Sequence, residues 1–197
     1  CRMGGRTVGI VANDHAQDGG RLTSQDCRKA ARFVRLCDCY QIPVVSLVNT
    51  DGMAVPLAGH QGALLRGAAD LLYAYAEATA PKVAVMTGNA VGAAYVAMGG
   101  KSIADVSYAW PTAVISPLTK EAAVQTLNGD RLNAGESRET LEDEYAQAFG
   151  ALSAAKAGVV DDVIEPRETR KYIVAALELL STKRDVNLPK KHGNLPL

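Results

Sequence analysis

The sequence predicts an α/β protein with a largely parallel sheet, and three observations carry that prediction. Apolar runs of strand length recur along the chain: Thr7 to Ala12, Val44 to Val48 and Val83 to Met86. They are continuous rather than alternating, which suits strands buried on both faces. Between them lie longer segments of helical periodicity, and strands alternating with helices indicate a parallel sheet. The chain has 197 residues, 48% hydrophobic and 21% charged, enough for one domain with a proper core.

In order, Thr7 to Ala12 is the first strand and Asn13 to Arg21 a polar loop holding Gly19 and Gly20. Thr23 or Ser24 can cap the next helix, with Gln25 and Asp26 in its first turn. Ala30, Phe33, Val34, Cys37 and Tyr40 share one helical face, and Pro43 ends the element. Val44 to Val48 is the second strand. Asn49 to His60 is a loop, placed at a strand end where α/β proteins usually hold ligands. Leu64 to Thr79 reads as a helix with Leu64, Leu65, Ala68, Leu71, Leu72 and Tyr75 on its apolar face. Asp105 to Trp110 is a strand stopped by Pro111. Leu118 to Leu127 and Ser137 to Phe149 look helical, separated by breaks at Asn128-Gly129-Asp130 and Gly135. Val159 to Ile164 is the last strand. Pro166 opens a helix reaching about Leu180, and Lys183 to Leu197 is a tail.

Composition excludes several functions. Net charge is zero and basic residues are dispersed, so no global field draws in nucleic acid or an anionic membrane. Four cysteines form no C-x-x-C pair and the three histidines, His15, His60 and His192, are scattered, which argues against structural zinc. Free thiols and a cytoplasmic location are expected. With no G-x-S-x-G elbow, a serine triad has no footing. Gly100-Lys101-Ser102 imitates a phosphate loop, but Tyr95 stands where its first glycine should be.

The stretch that organises the chain runs from Lys82 to Lys101. A buried strand leads into a turn at Gly88 to Ala90, and Val91 to Met98 returns to helix rich in small residues. The first N–H groups of such a helix lack internal partners and sit at the positive end of its dipole, which suits a developing negative charge on oxygen. Close packing alone would also account for the glycines and alanines.

Several segments resemble a known family. These are GRTVGIVAN (5–13), ARFVRLCDCYQIPVVSLV (31–48), GAADLLYAYAEAT (67–79), PKVAVMTGNAVGAAYVAM (81–98), YAWPTA (108–113), VVDDVIEP (159–166) and KKHGNLPL (190–197). In that order they resemble the C-terminal half of the biotin-dependent acyl-CoA carboxyltransferases, a family that includes carboxylase β subunits and decarboxylase α subunits. The resemblance implies a crotonase-like fold, a superhelix of β-β-α turns. It implies a single carboxyltransferase C-terminal domain over 1–197, cut from a longer chain, that supplies the biotin side of the site. Biotin would arrive on a biotin carboxyl carrier protein, and acyl-CoA on an N-terminal carboxyltransferase domain. A homo-oligomer and, for decarboxylases, membrane subunits are further implied partners.

By position, the backbone amides of Gly52 and Met53, and of Gly92 and Ala93, would hold the biotin ureido oxygen. Gly88, Asn89, Asp51 and Ala54 would line the cofactor. The chain departs from the family at Asp51-Gly52-Met53, where a Pro-Gly-Phe-type turn is usual, at Thr87-Gly88-Asn89, at His60 and at Val114. Two other readings remain open. A free-standing crotonase-like hydratase or thioesterase would need a side-chain acid or base, for which Asp51 and His60 are the nearby candidates. A divergent domain could instead serve assembly alone.

Overall fold

The structure, a computed structural model, describes residues 1–55, 61–186, 189 and 191. His60, Pro56 and Gly59 of the predicted ligand loop lie outside the described residues, as does most of the KKHGNLPL ending.

The expected parallel sheet is present. It contains β3 (Gly9–Ala12), β4 (Val44–Thr50), β5 (Lys82–Val91), β6 (Val106–Ala109) and β8 (Asp162–Val163), paired in that order and all parallel. A short antiparallel hairpin of β1 (Arg2–Met3) and β2 (Arg6–Thr7) precedes it, so the first predicted strand is shorter than its apolar run. The alternation of buried side chains along the strands creates two cores. Val44, Val48, Ala84 and Met86 pack towards α1 (Ser24–Cys39), α2 (Gln61–Glu77) and α3 (Gly92–Gly99). Val45, Val83 and Val85 pack with Ile173, Ala176 and Leu177 of α8 (Thr169–Leu179). Strands covered on both faces in this way need unbroken apolar sequence.

Thr23 caps α1 with a reciprocal box: its hydroxyl accepts from the Asp26 N–H at 3.2 Å, and Asp26 Oδ2 accepts from the Thr23 N–H at 3.0 Å. The buried face of α1 is Cys27, Ala31, Val34 and Cys37. Phe33 and Tyr40, expected on that face, are 37% and 69% exposed, and Leu65 of α2 is 72% exposed. The two helices meet closely at the start of α1, where a Cβ on Gly67 would lie 2.9 Å from the Ser24 carbonyl, and Phe33 turns towards β3, where a Cβ on Gly9 would meet its ring at 3.1 Å.

The largest correction concerns β5. Gly88 to Ala90 is not a turn; the strand continues to Val91. Val48 pairs with Met86 and Thr50 with Ala90, so β5 carries two more residues than β4 across that interval. This bulge bends the strand. Beyond it, Asn89 to Val91 pair with β7 (Val114–Ser116), an element too short to read from sequence. A long strand that starts in one sheet and finishes on another partner carries the glycine turn out to the surface.

The remaining helices are α4 (Lys120–Leu127), α5 (Gly129–Asn133), α6 (Arg138–Ala148) and α7 (Ala151–Lys156). The predicted break at Asn128-Gly129-Asp130 is thus occupied by the start of α5, and α7 falls where no helix was expected. The acidic face of α6 is solvated and partly paired: Glu142 meets Arg138 at 3.0 Å, and Glu144 meets Arg131 at 2.9 Å.

All four cysteines are free thiols, Cys27 and Cys37 buried, Cys1 and Cys39 exposed. Burial, aided by the Asp26 charge, pushes the Cys27 thiol up to about 11. At pH 8 its thiolate fraction is roughly one part in a thousand. A thiol-modifying reagent is therefore expected to label Cys1 and Cys39 rapidly in the native protein and Cys27 only after denaturation. Mass mapping of the labelled peptides checks this, and fast native labelling of Cys27 would contradict the packing described.

Candidate functional site

Two turns meet at the carboxyl end of the sheet. The first is Asp51-Gly52-Met53, directly after β4. Gly52 has φ +117°, a conformation that side chains rarely tolerate. Its N–H donates to Thr50 Oγ1 at 3.1 Å, and the same hydroxyl donates to the Gly52 carbonyl at 3.1 Å. Leu22 holds the turn from the other side: its N–H donates to the Gly52 carbonyl at 3.1 Å and its carbonyl accepts from the Ala54 N–H at 2.9 Å. The Gly52 and Ala54 donors are therefore engaged within the protein. The N–H of Met53 between them has no backbone partner among the described residues.

The second turn joins β5 to α3. Val91 is the last extended residue and Gly92, at φ +58°, turns the chain into the helix. No side chain caps α3. The Ala93 N–H, in its first turn, has no partner within the helix. Gly92 is half-buried and Ala93 exposed, while Ala94, Tyr95, Ala97 and Met98 are buried. The helix thus presents its N-terminus outward and packs its far end. Gly99 permits that packing, because a Cβ there would lie 2.8 Å from the Ala84 methyl.

The two turns are neighbours. A Cβ built on Gly52 would sit 3.9 Å from the Val91 carbonyl oxygen. Between them, Asp51 Oδ1 accepts from Asn89 Nδ2 at 2.7 Å. A cleft of about 120 Å³ opens here, lined by Asp51, Asn89, Val91, Val114, Ser116, Thr119, Lys120 and Glu121. A larger cavity of about 600 Å³ follows the outer edge of the sheet along β3 and α1, bordered by Asn13, Gly20 and Leu22. Neither cavity has Met53, Gly92 or Ala93 among its lining residues.

All eight residues singled out in the sequence therefore fall in one region, with differing occupations. Met53 and Ala93 present backbone donors. Gly52 and Gly92 provide the backbone conformations. Asn89 and Asp51 are bonded to each other, and Gly88 lies against the Asn49 side chain, where a Cβ would come within 2.5 Å of Asn49 Oδ1. Sequence reasoning missed Thr50, Asn49, Ser116 and the Lys120-Glu121 pair at the start of α4. A repeated asparagine after successive apolar runs (GIVAN, SLVN, VMTGN) was the available signal for Asn49.

Main-chain donors of this kind can bind an electron-rich oxygen. Uncommitted main-chain donors point to hydrogen-bond recognition without an ionisable partner. The small side chains of Gly92 and Ala93 leave the backbone approachable. Among the described residues no cluster of three or more metal-ligating side chains occurs.

Comparison with known proteins agrees with this architecture. The propionyl-CoA carboxylase carboxyltransferase subunit of Haloferax mediterranei is 43% identical over the whole chain, and the methylmalonyl-CoA decarboxylase subunit alpha of Propionigenium modestum is 42% identical. The crystal structure of transcarboxylase 12S, a hexamer with methylmalonyl-coenzyme A bound, superposes over the whole chain with TM-score 0.92 at 40% identity. In each case the chain spans 39% of the relative's own length. The fold is accordingly crotonase-like, as the resemblance implied. Residues 1–195 match the family described as the carboxyl transferase domain, and the chain belongs to that family.

Proposed function

We propose that this chain is the biotin-facing part of a carboxyltransferase that moves a carboxyl group between biotin and an acyl-CoA. The observation that carries the reading is the adjacency of two turns with uncommitted main-chain donors, Met53 after β4 and Ala93 at the start of α3. Biotin, when bound, would supply the transferable carboxyl group, and its ureido oxygen would be the acceptor for these donors. The chain's own task is to bind that oxygen with the Met53 and Ala93 N–H groups and to orient the ring beside them. Donors fixed in advance need no reorganisation as charge develops, and one such donor is worth ~3 kcal/mol of barrier. The α3 dipole adds in the same direction.

An acid–base reading centred on Asp51 is less well supported, because its carboxylate is already bonded to Asn89. The acyl-CoA side would come from an N-terminal carboxyltransferase domain, and biotin from a carrier protein. Membership of a family whose relatives are far longer supports both. Among the described residues no helix is long and apolar enough to cross a membrane.

Titrating the ¹⁵N-labelled chain with free biotin tests the reading. The Met53 and Ala93 amide resonances are expected to shift together and downfield. Shifts confined to other residues, or none at saturating biotin, would overturn it.

A further inference from the structure

Three consecutive strands carry asparagine at the same end of the sheet. Asn13 follows β3, Asn49 lies one residue before the end of β4, and Asn89 lies in β5 past the bulge. The side chains of Asn13 and Asn49 reach towards the next strand, and that of Asn89 reaches back to the turn after β4. Asn13 Oδ1 accepts from the Asn49 N–H at 3.4 Å, Asn49 Oδ1 accepts from the Asn89 N–H at 3.0 Å, and Asn89 Nδ2 donates to Asp51 Oδ1 at 2.7 Å. The ends of the chain of contacts meet at one loop. Asn13 Nδ2 donates to the Gly20 carbonyl at 3.0 Å, and the Asp51 N–H donates to the Gly19 carbonyl at 3.0 Å. The loop is pressed hard against the strands: a Cβ on Gly20 would collide with the Asn49 carbonyl, and one on Gly19 with the Asp51 carboxylate.

The circuit links the two turns. Asn89 is three residues before Gly92, and Asp51 is two before Met53. The Met53 donor sits in a turn bridged to Leu22 on one side, and among the described residues no backbone hydrogen bond ties that turn to the start of α3. Catalytic donors must hold position to a fraction of an ångström. A short hydrogen bond to a carboxylate is the stiffest such link available to neutral side chains.

We propose that the Asn89–Asp51 hydrogen bond is a strut that sets the spacing of the Met53 and Ala93 amides, with Asn49 anchoring its Asn89 end, the Gly19 carbonyl its Asp51 end, and Asn13 tying Asn49 to the same loop. Asn13, Asn49, Asn89 and Asp51 are positioning residues, acting on the reaction through the Met53 and Ala93 amides. The inference rests on the reading above, that the two amides receive the ureido oxygen.

The test reverses the polarity of the strut in the native assembly, with carboxyl transfer followed at steady state. Asn89→Asp places two carboxylates face to face. It is expected to lower kcat roughly ten- to a hundredfold, with KM for the acyl-CoA unchanged. The double variant Asp51→Asn with Asn89→Asp restores one donor facing one carboxylate and is expected to recover kcat to within about threefold of the parent. A purely structural role would instead lower thermal stability and leave kcat intact at low temperature. Parental kcat in Asn89→Asp, or failure of the double variant to recover, overturns the strut. Met53→Pro, which deletes that N–H but also removes a core-packed side chain and fixes φ, read against Met53→Ala, which keeps the N–H and is expected to transfer at close to the parental rate, separates the two levels of argument. If it abolishes transfer while Asn89→Asp does not, the binding role of the amides stands and the strut falls. If it transfers at the parental rate, both fall.

Discussion

Replacing Gly92 by valine is expected to lower carboxyl transfer by two to three orders of magnitude in a protein that still folds. Gly92 holds φ +58° at the junction of β5 and α3. A β-branched residue is a genuine outlier there, and its Cβ would meet the Pro117 carbonyl at 3.2 Å. The backbone must rotate to relieve this, and the Ala93 N–H rotates with it. Loss of one preorganised donor costs ~3 kcal/mol in the barrier, a factor of roughly 10² to 10³. The strain itself costs about 1–3 kcal/mol, below the ~5–15 kcal/mol that holds an ordinary domain together. Activity is therefore expected to fall much further than stability. Alanine, with no β-branch, should show a milder form of the same defect. Kinetics paired with thermal denaturation of both variants checks the order. Transfer by Gly92→Val within threefold of the parent would remove the Ala93 amide from the site.

The scaffold was legible wherever a single element declares itself. Val44 to Val48 could only be a strand covered on both sides, and Thr23 with Asp26 marks a helix start in any context. What stayed hidden depends on relations between elements. The buried face of α1 is Cys27, Ala31, Val34 and Cys37, and the larger Phe33 and Tyr40 lie off it against their own hydrophobicity. β7 holds three residues, fewer than a period can be read from. Gly88 reads locally as a turn, yet it is glycine because the Asn49 side chain occupies the space of its Cβ. The same limit applies at the site. The glycines that shape the two turns could be found by type, but the internal engagement of the Gly52 N–H could not. It follows from the Thr50 hydroxyl, which takes up the Gly52 N–H. Side chains that bond across strands are set by register, and the two-residue slip between β4 and β5 leaves no mark in composition.

Removing the Asp38 carboxylate is expected to destabilise the fold strongly while sparing the chemistry. Asp38 lies in the last turn of α1 and bonds the segment that connects α2 to β5. Its Oδ1 accepts from the Thr79 N–H at 2.7 Å, the Ala80 N–H at 2.9 Å and the Thr79 hydroxyl at 3.2 Å. Ala80 is fully buried, so in Asp38→Ala its N–H loses its acceptor where water does not replace it. Unsatisfied buried donors cost ~1–3 kcal/mol each, and bonds to a charged acceptor lie at the upper end. The total is about 2–4 kcal/mol, or a fall in Tm of roughly 5–15 °C for a domain of this size. Asparagine keeps an acceptor oxygen in place and is expected to recover about half of the loss. The lesion lies near the start of β5, roughly 30 Å of strand before Gly92, so kcat measured well below the transition should stay within twofold of the parent. Thermal denaturation of the two variants beside their kinetics decides the matter. A Tm within about 2 °C of the parent in Asp38→Ala would mean that the α2–β5 connection holds its shape without this clamp. A fall in kcat to match the fall in Tm would mean that the two ends of β5 are not independent, and that the site is tuned from the far side of the sheet.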